Sequence, residues 1–179
     1  MNVRSILATA AVAGAGLLAS GCGATTNTSD PACAAVRIEP LFLASQAVST
    51  AEHIPCVSGY PGGWSLGSLR VRNGRASFTL DSDRGGSKAL TVTLQKRCDL
   101  AGAIEVPSDQ PGMARFDQMP DVTDGYKGAR AYRFDGGCVT YQFDIRSPRA
   151  GSLVDEGSLA VGFLTRAEVQ ARMDTAERS

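Results

Sequence analysis

The chain has 179 residues, with 18 basic and 18 acidic side chains, 20 glycines and a single histidine. A formal charge of zero removes the electrostatic basis for binding nucleic acid or docking unaided on anionic lipid. One histidine, with no Cys-x-x-Cys spacing, leaves neither a zinc site nor a thioredoxin-like redox centre, and no cofactor is implied.

The first element reads as an export signal. Arg4 is the only charge ahead of an apolar run at residues 6–18, and small residues follow it. A basic start, a short apolar stretch and a small-residue break mark a leader rather than a membrane span. Leu17-Leu18-Ala19-Ser20-Gly21-Cys22 resembles the lipobox of bacterial lipoproteins, with Ala19 standing where Leu is commonest. The resemblance implies a diacylglycerol thioether on Cys22, cleavage just before it and acylation of the new amino group. Two or more acyl chains anchor stably where one holds only marginally. Residues 1–21 are then a lipoprotein signal peptide, 22–31 a flexible tether without large apolar side chains, and 32–179 a single extracytoplasmic domain at the cell membrane. The processed chain carries 17 basic against 18 acidic residues.

Within the domain, Leu41, Ala44, Val48, Ala51 and Ile54 recur near every 3.6 residues, which predicts a helix over 41–54, ending before Pro55. From Trp64 the period falls to two. Ala76, Phe78 and Leu80, then Leu90, Val92 and Leu94, then Val139, Tyr141, Phe143 and Ile145 alternate with polar residues. Such strands bury one face and wet the other, as in an antiparallel sheet. Asn73-Gly74 and Asp135-Gly136-Gly137 predict tight turns between neighbouring strands. Residues 99–128 form a long, Pro-, Gly- and Asp-rich connection with one short strand at 114–118. After Pro148 the helical period returns, and Thr165-x-x-Glu168 is a capping box opening a final helix through Met173. The expected fold is α+β: an antiparallel sheet of about five to six strands flanked by an N-terminal helix and C-terminal helices.

Cys33, Cys56, Cys98 and Cys138 are an even set in an exported chain and imply two disulfides, for which three connectivities exist. Sequence order favours Cys33–Cys56 and Cys98–Cys138, with the other pairings open.

Few residues point to chemistry. Asp81-Ser82-Asp83-Arg84-Gly85-Gly86 starts like a calcium loop, but Gly85 and Val92 stand where ligand oxygens are needed, so it reads as a turn. His53 reads as a capping or surface histidine, because adjacent Glu52 points elsewhere on a helix and no Gly-x-Ser-x-Gly supplies a nucleophile. Trp64 reads as a buried anchor rather than an exposed platform. No catalytic residue and no metal ligand emerges. Asp99, Glu105, Asp109, Asp117, Asp121 and Asp124 could supply paired carboxylates only if the fold set two of them in a cleft. Long connections persist when they pack or bind, and Met113, Phe116 and Met119 give this one apolar contacts. Asp109, Phe116 and Tyr126 are therefore the candidate residues of a binding loop.

Pro55-Cys56, Gly63-Trp64, Ser82-Asp83-Arg84, Cys98-Asp99, Val106-Pro107-Ser108-Asp109, Tyr126-x-Gly128 and Gly136-Gly137-Cys138-Val139-Thr140-Tyr141-x-Phe143 are similar to extracytoplasmic domains in envelope proteins of high-GC Gram-positive bacteria. The similarity covers residues 55–173, supports the compartment and implies no catalytic residue. Together these readings predict a lipid-anchored envelope protein acting as a non-catalytic binding or accessory module. Its partners are the membrane, through Cys22, and an envelope protein or the cell wall. The competing reading is a hydrolase using the loop carboxylates.

Overall fold

A computed structural model describes Cys33 and residues 38–178, with side chains from 41 onward apart from Cys33. Cys22, the signal peptide and the tether lie outside the described residues.

In chain order the elements are α1 (Ile38–Ala47), β1 (His53–Val57), β2 (Trp64–Arg72), β3 (Arg75–Ser82), β4 (Gly86–Gln95), β5 (Ala103–Val106), β6 (Ala114–Gln118), β7 (Tyr126–Phe134), β8 (Gly137–Ile145), α2 (Ala150–Leu159), β9 (Val161–Thr165) and α3 (Arg166–Ala176). Seven strands form one sheet in the order β2-β3-β4-β8-β7-β6-β5, and β1 pairs with β9 in a separate two-stranded sheet. All pairings between these strands are antiparallel. The large sheet is two meanders, β2 to β4 and β5 to β8, joined where β4 pairs β8. This α+β sheet is wider than expected, because β5 joins the short strand expected at 114–118, here β6, inside the stretch read as an irregular connection.

Period-two patterning places the core. Leu80, Leu90, Val92, Leu94, Val139, Tyr141 and Ile145 are at most 1% exposed and share one face of the sheet. The helices and the small sheet cover that face. Phe163 of β9 stacks parallel to Tyr141, and Tyr132 meets both rings edge-on. Trp64 is 5% exposed, a buried anchor. Its indole N–H donates to Glu156 on α2 at 3.0 Å, and the Arg84 guanidinium forks onto the same carboxylate at 2.7 and 3.2 Å.

Two predicted helical stretches resolve differently. α1 stops at Ala47, and His53 and Ile54 begin a strand rather than ending a helix. His53 thus caps no helix and meets the Phe134 ring edge-on at 5.1 Å. Proline at 55 is incompatible with a helix interior, whereas β1 is an edge pair that tolerates it. At the other end, α2 and α3 are separated by β9, whose partner β1 lies more than 100 residues earlier. The capping box at Thr165 and Glu168 forms as expected, with Glu168 accepting from the Thr165 amide at 2.7 Å.

Both favoured cysteine pairings are present, Cys33–Cys56 and Cys98–Cys138, each with Cα atoms 5.7 Å apart. Among the described residues no helix is long and apolar enough to cross a membrane.

Candidate functional site

The sheet face opposite the core carries a groove that is the candidate site. Register places Ser77, Thr93, Thr140, Ala131 and Phe116 in one row across β3, β4, β8, β7 and β6. Arg70 of β2 extends that row, since it pairs Ser77. Long side chains on the outer strands and alanines at 129 and 131 leave a groove of about 270 Å³. Its lining includes Arg75, Thr93, Gln95, Thr140 and Gln142, with Asp99, Leu100, Phe116 and Gln118 opposite.

A small second core walls one end. Phe116, Ala131 and Cys138 are buried under Cys98, Leu100, Ala103 and Ala114. The Cys98–Cys138 bridge clamps the segment after β4 onto this face, and Asp99 accepts from the Ala101 amide at 3.0 Å to turn it. Arg133 lies over the Phe116 ring, 4.9 Å from its centre, so the ring is covered rather than offered to a ligand.

The groove's polar atoms are only partly engaged. Thr93 is 3% exposed and accepts from the Arg75 guanidinium at a long 3.4 Å. Arg75 also borders a neighbouring hollow of about 190 Å³ shared with Arg70, Arg72 and Ser77. Among the described residues no carboxylate lies within 4.0 Å of these three guanidinium groups. Asp99 is the one carboxylate among the groove's lining residues.

The other loop acids sit elsewhere. Arg115 donates to both Asp117 oxygens at 2.6 and 3.0 Å and to Asp109 at 3.3 Å. Arg130 adds a contact to Asp117 at 3.3 Å, and the Tyr132 hydroxyl donates to Asp109 at 3.0 Å. Burial alone would raise the Asp117 carboxyl. The Arg115 hydrogen bond and the charges of Arg130 and Arg115 outweigh it and hold the group below its ordinary value. Burial, followed by the nearby Asp109 carboxylate, pushes the Tyr132 hydroxyl up to about 12 despite the Arg130 charge. Asp121 accepts from the Thr123 amide and hydroxyl, which keep it ionised at lower pH than usual. Acids held ionised by arginine or backbone N–H serve poorly as proton donors near neutral pH.

The three candidate loop residues do not converge. Phe116 faces the groove, Asp109 anchors the β5–β6 connection on the other side of the sheet, and Tyr126 packs edge-on against Phe143 at 5.8 Å. Sequence reading passed over Arg75, Thr93, Gln95, Thr140 and Gln142 as sites. Their signal was the polar half of the strand alternation, which by itself says only that this face meets water. Comparison with protein-family models, curated proteins and solved structures finds no match for this chain.

Proposed function

We propose that this chain is a lipid-anchored extracytoplasmic protein whose domain is a non-catalytic binding module of the cell envelope, presenting the outer-face groove to its partner. The observation that carries the binding reading is the groove itself, a polar recess on an open sheet face in which Thr93 accepts from Arg75, Thr140 meets the Cys98 sulfur and Gln118 donates to the Ala101 carbonyl, while Gln95 and Gln142 keep their amides open among the described residues. The hydrolase reading is weaker, because Asp109 and Asp117 share Arg115 outside the groove and Asp117 is held ionised. Anchoring rests on the lipobox, with Cys22 joined through residues 23–31 to the domain.

Two measurements test this. Cys22→Ala should release the protein from the membrane fraction or leave its precursor uncleaved, and unchanged processing with unchanged membrane association refutes anchoring. The lipidated chain in uncharged detergent should co-sediment with isolated cell walls without releasing soluble fragments. Filling the groove with Thr140→Tyr should abolish that retention. Fragment release lost in Asp109→Asn would establish the hydrolase instead.

A further inference from the structure

We propose that the groove takes an acidic oligosaccharide, with its carboxylate or phosphate held by Arg75 and the adjoining Arg70 and Arg72, and its hydroxyls met by Gln95 and Gln142. This rests on the reading of the groove as a binding site and names its ligand class.

Charge comes first. Three guanidinium groups share one face, and Arg72 and Arg75 are directly paired across the β2–β3 turn. Like charges directly opposite each other in a sheet are unfavourable. Among the described residues no carboxylate relieves them, although the domain has as many acids as bases to draw on. A ligand anion supplies the missing countercharge, and guanidinium forks fit carboxylate and phosphate in two-point contact.

The remainder of the groove selects hydroxyls. Gln95 and Gln142 line it with amides that can each donate and accept, as sugar hydroxyls do, while Thr93, Thr140 and Gln118 are engaged by Arg75, the Cys98 sulfur and the Ala101 carbonyl and shape its floor. A peptide added as an extra strand is excluded here, since β3, β4, β8 and β7 are each paired on both sides and leave no free edge. The groove lining also holds charges of both signs, Arg75 and Asp99. An acid group is drawn to the arginines and repelled by Asp99.

The test is calorimetric titration of the full lipidated chain in uncharged detergent at low salt. Four probes are compared: trigalacturonate, its neutral methyl ester, maltotriose and a phosphorylated maltotriose. At least one acid trimer should bind about tenfold more tightly than its neutral counterpart. That preference should fade with salt and vanish in Arg72→Gln/Arg75→Gln, in which acid and neutral trimers should bind alike. The acid that binds, uronate or phosphosugar, identifies the source of the charge. Equal binding of acid and neutral trimers overturns the inference while leaving the groove a binding site. Acid binding that survives the double substitution also overturns it. If no trimer binds, the inference falls, and cell-wall retention of the same preparation decides the groove reading separately. Far-ultraviolet circular dichroism of the double variant excludes misfolding, because both arginines are exposed.

Discussion

Gly136 concentrates several demands on one residue. It sits in the two-residue turn between β7 and β8 with φ of 71°, a left-handed conformation that costs a residue with a side chain about 1–2 kcal/mol. Thr50 approaches from α1's exit, its hydroxyl donating to the Gly136 carbonyl. An added Cβ would run into the Thr50 carbonyl. Gly102 has a similar φ of 72° but open space around its missing Cβ. Gly136→Ala should therefore lower stability by about 2–3 kcal/mol and Gly102→Ala by about 1 kcal/mol, the difference reporting the close approach. Urea unfolding of both variants measures it, and equal losses would show that only the backbone conformation matters.

At the scale of elements, helix α1 shows why a periodic pattern can overrun its helix. Ala44, Val48 and Ala51 remain buried, but the last two lie past the helix, in the turn toward β1. The carbonyls that the helix leaves unpaired at that end find donors far along the chain. Arg166 gives hydrogen bonds to Ser45, Val48 and Ala51 carbonyls at 3.0, 2.8 and 3.0 Å, and the Gly74 amide bonds Ala47 at 2.8 Å. One side chain thereby locks α1 to the start of α3. Arg166→Ala should cost about 2–4 kcal/mol by stranding partly buried carbonyls. The melting temperature should fall by roughly 5–10 °C. Arg166→Lys should recover only part of this, because an ammonium lacks the planar fork that reaches carbonyls together. A full recovery would mean that charge, rather than geometry, is what the position supplies.

For the molecule as a whole, the bridges tie together regions that the sheet alone joins weakly. Cys98–Cys138 spans 40 residues and pins the crossing from central β4 to edge strand β5. Cys33–Cys56 spans 23 and fastens the chain's entry into the domain to β1. Cys98→Ala/Cys138→Ala should lose about 4 kcal/mol by the chain-entropy relation, and the pair at 33 and 56 slightly less. Thiol titration of the unfolded, unreduced protein should find none of these four cysteines free, and two or more reactive thiols would refute the oxidised fold. The first double variant should also loosen the groove wall carrying Asp99 and Leu100, weakening ligand binding at protein concentrations where the domain remains folded.

Local chemistry made much of this legible. Alternation marked β3, β4 and β8 because each has one face in the core and one in water, and the capping box marked α3 because its bonds lie within four residues. The strand at 114–118 and the turns at Gly74 and Gly136 were likewise local. β1, β5 and β9 escaped notice because short edge strands depend on partners rather than pattern; β9 pairs a strand more than 100 residues away. The groove escaped for the same reason. Polar alternation by itself determines that Thr93, Thr140 and Arg75 point away from the core, whereas only the order β3-β4-β8-β7 sets them beside Ala131 and under the Cys98 segment. Side-chain direction follows from neighbours along the chain, but a concave site is made by strands brought side by side, and that is decided by tertiary pairing.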